Sequence, residues 1–276
     1  MPTIRLDIEM ADRGLTPSRS AAAAAIRAGQ VRLGRGGERA SKPSQPVEPG
    51  SEIQLEQGRR YVSRGGHKLE AALEQLELDV EGLACLDVGA STGGFTDCLL
   101  QRGAASVRAV DVGRGQLDWG LRNDPRVTSL ERTNARALDP ARIPPAELAT
   151  IDVSFISLTK IIEPVARCLA EDGKMLAMVK PQFELGVDRV GRGGVVRDLA
   201  DRRDAVSSVV EAAARLGLGL VGAAPAGLPG PKGNREVFVL LGRTDAETSS
   251  GGVRRTDAEA THDRSETARL IEAALR

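Results

Sequence analysis

The spacing of apolar positions divides the chain into segments of different period. Leu69, Ala72, Leu73 and Leu76 recur at helical spacing and predict a helix over His67–Leu78. Beyond it, short apolar runs alternate with amphipathic stretches. The runs predict strands at Ala84–Val88, Val107–Val112, Val127–Leu130, Thr150–Val153, Met175–Val179 and Glu236–Leu241. The stretches predict helices at Gly94–Arg102, Leu117–Asn123, Leu158–Leu169 and Asp201–Leu216. Alternation of this kind predicts an α/β, Rossmann-like fold, a doubly wound sheet with helices on both faces.

The first 58 residues follow another pattern and predict a small separate α+β unit. A short helix opens at Arg5-Leu6-Asp7 and ends near Gly14. Thr16 or Ser18 can cap a second, Ala-rich helix that Gly29 stops. Strand-like pieces at Gln30–Leu33 and Ser51–Leu55 flank a loop rich in Gly, Pro and Ser. Residues 59–64 read as a linker and 65–243 as the main domain. From residue 244 to 276 the composition is polar and tail-like, and part of it is expected to be disordered, with a short amphipathic helix at Ser265–Leu275.

Composition narrows the functional classes. Lys and Arg number 38 and so do Asp and Glu, so any nucleic-acid surface has to be local. Such a surface is expected in the first unit, where Arg5, Arg19, Arg27 and Arg32 stand among further cations; Arg64 extends it into the linker. Aromatics make up 2% of the chain, which leaves little for extensive base stacking. The three cysteines form no C-x-x-C pair and predict buried thiols in a reducing compartment. Two histidines cannot build a His-rich metal site, and no metal is expected. The segment MPTIRLDIEM is charged where a signal peptide needs an apolar core, and no apolar run approaches the ~20 residues of a membrane helix. A cytoplasmic protein without membrane contact is expected, its oligomeric state open.

Candidate chemistry begins at Asp87-Val88-Gly89-Ala90-Ser91-Thr92-Gly93-Gly94-Phe95, a glycine-rich turn between a strand and a helix. A dinucleotide fingerprint reads G-x-G-x-x-G, and Ser91 occupies its second glycine position. A cofactor without a pyrophosphate, gripped by acids at strand ends, fits better, and S-adenosylmethionine (SAM) is such a cofactor. Asp87 is placed to receive its amino group, directly or through water, and Asp111, ending the next strand, a ribose hydroxyl. Ligands of open α/β sheets bind outside the carboxyl ends of the strands, so Asp152 and Lys180 should face the same crevice.

These blocks, with RGGHKL at 64–69, AVDVGRGQL at 109–117, LRNDPRV at 121–127, LERTNAR at 130–136, IDVSFISL at 151–158, VKPQFE at 179–184, GGVVRD at 193–198 and GPKGNRE at 230–236, resemble the TlyA (hemolysin A) family. That family is similar to the FtsJ-type RNA ribose methyltransferases. Residues 1–58 resemble the alpha-L RNA-binding domain shared with a small-subunit ribosomal protein and pseudouridine synthases. The resemblance covers residues 3–242. It implies SAM-dependent 2′-O-methylation of cytidine in ribosomal RNA, with ribosomal RNA or ribosomal subunits as partners. Motif against motif, it places a Lys-Asp-Lys-Glu tetrad at Lys68, Asp152, Lys180 and Glu236. It places the SAM loop at Gly89–Gly94, the ribose acid at Asp111 and an adenine contact at Asn134. Three departures, at Tyr61, at His67 and in the tail beyond Arg243, leave the tetrad untouched.

Other classes stay in view. A small-molecule methyltransferase has no use for a basic N-terminal unit. An RNA-binding assembly protein that retains a SAM pocket has no use for the tetrad. A secreted cytolysin would be expected to carry an export signal or an apolar inserting stretch.

Overall fold

The computed structural model describes residues 3–55, 60–243 and 257–276, the last segment with side chains from residue 265. The chain divides into two compact units between Arg60 and Tyr61.

The first unit opens with β1 (Ile4–Arg5), α1 (Leu6–Asp12) and α2 (Arg19–Arg27). Ser18 caps α2, its side chain accepting from the Ala21 N–H at 3.2 Å. Next come β2 (Val31–Leu33), β3 (Glu38–Arg39), β4 (Pro46–Val47) and β5 (Ile53–Leu55). Strands β3-β2-β5 form one antiparallel sheet, and β1 pairs with β4. Leu6 and Met10, one helical turn apart, pack with Ala22, Ile26, Val31, Val47 and Ile53 into a core of this unit's own. The two-residue strands β1, β3 and β4 are too short to leave a period in the sequence.

The second unit begins at Tyr61, which changes the expected linker. Arg64 is the first residue of α3 (Arg64–Gln75), and Ser63 caps that helix. Tyr61 is 1% exposed and lies edge-on to His67, the ring centroids 5.1 Å apart. The Val62 N–H donates to Asp97 at 2.8 Å. A Cβ on Gly66 would stand 2.3 Å from the Tyr61 ring, so only glycine lets the helix lie over that tyrosine. Residues 61–64 are therefore built into the second unit, while 56–59 lie outside the described residues.

The remaining elements are β6 (Ala84–Val88), α4 (Gly94–Gln101), β7 (Ser106–Val110), α5 (Trp119–Arg122), β8 (Val127–Leu130), β9 (Ala146–Ile151), α6 (Ile162–Ala166), β10 (Leu169–Val179), α7 (Pro181–Glu184), α8 (Leu199–Ala214), β11 (Leu218–Pro225), β12 (Val237–Arg243) and α9 (Asp257–Leu275). The sheet order is β11-β12-β10-β9-β6-β7-β8. Strand β12 runs antiparallel to both its neighbours, and β10-β9-β6-β7-β8 are parallel. Order reverses between β6 and β9, the place where open α/β sheets bind ligands.

Alternate residues of the buried strands feed two cores. Leu86, Val88, Ile151, Ala177, Val237 and Val239 face α6, α8 and α9, while Cys85, Leu148, Met178, Phe238 and Leu240 face α3 and α4. The helix expected over Leu158–Leu169 is interrupted: a 3-10 turn at Leu158–Lys160 precedes the short α6, and Leu169 already begins β10. Helix α9 is longer than the stretch expected at Ser265–Leu275. Its Ile271, Ala274 and Leu275 enter the core beneath α8 and β11, so this part of the expected tail is an element of the fold. The expected disorder of residues 244–256 lies outside the described residues. No helix among the described residues is long and apolar enough to cross a membrane. All three cysteines are free and buried.

Candidate active site

Sheet register brings the candidate residues to one edge. Asp152 follows β9 directly, and its N–H donates to the Val88 carbonyl at 2.9 Å, beside the glycine turn. Lys180 follows β10, and Glu236 precedes β12. Since Val179 pairs with Val237 in antiparallel register, Lys180 and Glu236 stand across from each other.

Two lysine–carboxylate pairs result. The Lys180 Nζ lies 2.5 Å from Asp152 Oδ1 and donates to Ser154 Oγ at 3.0 Å. Lys68, one turn into α3, pairs with Glu236, and both side chains are buried. A buried pair is costly to break, since removing one partner strands the other and costs about 3–5 kcal/mol. Burial fixes the two amines more tightly than a surface contact could.

The glycine turn is shaped by close approach. Gly89 has φ +88°, and a Cβ there would lie 2.4 Å from the Asp152 carbonyl oxygen. Gly93, at φ +96°, precedes α4, and a Cβ there would meet Leu121 at 2.3 Å. Ser91, without a glycine's freedom, also takes a left-handed φ of +49°. Its N–H donates to Asp111 Oδ2 at 2.8 Å, and the Gly113 N–H donates to Oδ1 at 2.6 Å. Ala90, Ser91, Ala109, Asp111, Gly113, Gln116, Leu117, Ser129 and Glu131 line a narrow crevice. Its apolar walls and two carboxylates suit the ring and diol of a nucleoside, so the donor set fits the adenosine part of SAM.

Three residues expected to contact the cofactor do not line this crevice. Asp87 does not face the crevice. It is wholly buried at the end of β6 and accepts from Thr96 Oγ1 at 2.7 Å and Thr150 Oγ1 at 3.3 Å. Burial pushes its carboxyl up to about 7, the Asp152 charge adds to the rise, and the threonine bonds oppose it. Phe95 is buried against Phe238, with centroids 5.8 Å apart, and serves the core. Asn134 is not among the residues lining the crevice; its side chain accepts from the Arg136 N–H at 3.0 Å and caps a 3-10 turn. Thr92 keeps its place in the turn, its carbonyl accepting from the Asp118 N–H at 3.2 Å.

The arginines expected to meet RNA differ in availability. Arg5 forks onto Asp7 at 3.0 and 2.8 Å, and Arg19 reaches the same carboxylate at 3.6 Å. Arg5 holds that carboxyl below its ordinary range. Arg32 donates to the Gly37 carbonyl at 3.0 Å, whereas Arg27 is exposed. Arg64 donates to the Pro229 carbonyl at 2.5 Å and so also anchors the loop that leads to Glu236.

The structure adds residues that the pattern did not single out. Phe155 is 91% exposed with φ +65°, a strained conformation for a bulky side chain, and its ring lies 5.2 Å from that of Phe183. Its carrier loop is pinned by Glu184, which accepts from Ser157 Oγ at 2.6 Å and the Leu158 N–H at 3.0 Å. Burial raises the Glu184 carboxyl. In a chain with four phenylalanines, two of them flanking Asp152 and Lys180 is a signal that sequence could have offered.

An S4 domain model matches residues 4–53. The 16S/23S rRNA (cytidine-2′-O)-methyltransferase TlyA of Mycobacterium tuberculosis is 47% identical over 253 residues, 90% of this chain and 94% of that one. The 23S rRNA (cytidine-2′-O)-methyltransferase TlyA of Campylobacter jejuni is 34% identical over 179 residues, 64% of this chain and 69% of that one. A solved Streptococcus thermophilus chain, described as a candidate hemolysin, superposes with a TM-score of 0.67 at 38% identity, covering 99% of this chain and 96% of its own. With a model of the FtsJ-like methyltransferase matching residues 61–243, the whole sheet and every residue of the two lysine–carboxylate pairs, the chain belongs to the FtsJ-like methyltransferase family and carries an S4 domain ahead of it.

Proposed function

We propose that this protein methylates a ribose 2′-hydroxyl, that of a cytidine in ribosomal RNA, using SAM, with Lys68, Asp152, Lys180 and Glu236 as its catalytic residues. The observation that carries the reading is the meeting of two lysine–carboxylate pairs on adjacent strand ends at the carboxyl edge of a methyltransferase sheet. The names and extent of the relatives support ribosomal RNA as the substrate. The S4 domain supports RNA as the partner.

SAM supplies an electrophilic methyl group. Ala90, Ala109 and Leu117 would flank its adenosine, and Asp111 would take the ribose diol once its hold on the Ser91 N–H loosens. The 2′-hydroxyl is a very weak acid, so alignment and a path for its proton are what the protein has to add. Asp152 and Ser154 fix the Lys180 Nζ from two sides, leaving it one direction in which to meet the hydroxyl. Lys68, held by Glu236, would steady the ribose or its phosphate. Phe155 and Phe183 would offer an apolar face to the base of the target nucleotide.

Lys180→Ala should abolish methyl transfer while SAM and RNA binding persist, because the interaction lost belongs mainly to the transition state. Lys180→Arg should fail as well, since a guanidinium stays protonated and is larger. Single-turnover transfer of labelled methyl to ribosomal RNA is the measurement. Near-normal rates for Lys180→Arg would rule out a base and leave Lys180 an orienting group only.

A further inference from the structure

Two loops at the site's rim are joined by one buried side chain. Asn234 is 2% exposed. Its Oδ1 accepts from the Val196 N–H at 2.9 Å, and its Nδ2 donates to the Gly194 carbonyl at 2.7 Å. A carboxamide that meets the C=O of one residue and the N–H of the residue two further on reproduces the pairing of a neighbouring β-strand. The backbone around Asn234 is closed too: its carbonyl accepts from the Gly230 N–H at 2.9 Å, and the Gly233 N–H donates to the Gly230 carbonyl at 2.9 Å. The partner loop turns at Gly191–Val195, with the Gly194 N–H on the Gly191 carbonyl at 3.0 Å. A Cβ on Gly194 would lie 3.7 Å from the Lys232 Nζ, so the loops' side chains mingle as well.

The charged residues of the two joined segments are all basic, and an acid, Asp198 or Glu236, follows each segment directly. Residues 191–197 and 230–235 carry Arg192, Arg197, Lys232 and Arg235 and no acid. All four are exposed, and none forms an ion pair among the described residues. The carbonyl of Gly194 and the amide of Val196 would be orphaned, at a cost in stability, if the Asn234 side chain were lost. The joined loops lie directly beside Glu236, two residues beyond Asn234.

We propose that the Gly191–Arg197 and Gly230–Arg235 loops, joined by Asn234, form a clamp for the phosphodiester backbone flanking the target ribose. It would be an RNA surface of the methyltransferase unit itself, with Asn234 its positioning residue. The proposal rests on the reading of the protein as an RNA ribose methyltransferase. Phosphate contacts of this kind position the strand without reading sequence, and each contributes a slope of about 0.7–0.9 to the dependence of log K on log salt.

The test uses the full-length protein and a ribosomal RNA transcript. Arg192, Arg197, Lys232 and Arg235 are all changed to Gln, exposed sites that leave folding intact. RNA affinity should fall at least tenfold at low salt and the salt slope should drop by roughly 2 or more. SAM binding by calorimetry should match the wild type. Asn234→Ala should lower the slope in the same way, yet cost little further affinity when added to the fourfold variant, because it acts through the same charges. A fourfold variant with unchanged affinity and slope, in a protein whose wild type methylates the RNA, overturns the clamp alone. Additive loss from Asn234→Ala overturns its positioning role. Wild-type protein that neither binds nor methylates ribosomal RNA overturns the reading of function and the clamp with it.

Discussion

Gly230 is a glycine for room. It needs no left-handed backbone, yet a Cβ there would stand 2.6 Å from Glu236 Oε1. Gly230→Ala should push that carboxylate off Lys68, lower methyl transfer at least tenfold and lower the melting temperature as the buried pair is broken, with SAM affinity close to wild type; single-turnover kinetics, thermal unfolding and calorimetry decide it. Asp87 gives a second residue-scale expectation. Its folded carboxyl titrates at about 7 against an ordinary 3.8, so the folded state holds the proton more tightly than the unfolded chain. Stability then falls as pH rises from about 4 to about 7 and stays reduced above that. Asp87→Asn should change stability little near pH 4 and gain on the wild type by up to about 4 kcal/mol at pH 8, the equivalent of three units at 1.36 kcal/mol each. Denaturant curves at the two pH values measure this, and a gap that does not widen with pH would show that the carboxyl is not shifted. Strand-end positions made Asp152 and Lys180 legible from sequence, and motif resemblance added Lys68 and Glu236. The depth of Asp87 was not legible, because its partners Thr96 and Thr150 come from separate elements and no local pattern joins them.

At the scale of elements, legibility followed apolar period. The runs at Ala84–Val88 and Val127–Leu130 coincide with β6 and β8 to the residue. Strand β11 has no counterpart among the expected strands, since Gly217, Gly219 and Gly222 break its apolar run. Gly222 is there for contact: a Cβ on it would meet Leu76 of α3 at 2.8 Å, and the register with β12 shifts beside it. Helix α9 extends beyond the expected Ser265–Leu275, whose buried residues, Ile271, Ala274 and Leu275, gather near its end. Those residues still share a core with α8 and the sheet. Ile271→Ala should therefore cost about 2–5 kcal/mol in denaturant unfolding of the full chain, the ordinary penalty for a cavity in a packed core. A loss below about 0.5 kcal/mol, the range of surface substitutions, would show that α9 is not part of the cooperative unit.

The chain divides into two units, the first built on one core and the second on two. The chain carries no net charge, so its attraction for RNA has to come from local surfaces. In the S4 unit two of the expected arginines are tied to Asp7, which leaves fewer free phosphate contacts there than sequence suggested. The proposed clamp beside Glu236 would supply the rest. Cutting the molecule between its units should expose this division, provided the cut respects Tyr61. A chain beginning at Tyr61 keeps the ring that fills the space under Gly66 and the Val62–Asp97 bond, and it should bind SAM as the full chain does. A chain beginning at Gly65 loses that ring and should be about 3–5 kcal/mol less stable, the cost of removing a buried aromatic. RNA binding by the Tyr61 chain should be weaker than in the full protein yet still salt-dependent, because the phosphate contacts of its own rim remain. Filter binding across a salt series measures both terms together. Binding that vanishes with the S4 unit would assign all RNA contact to that unit, whereas binding unaffected by its removal would leave it without the positioning task.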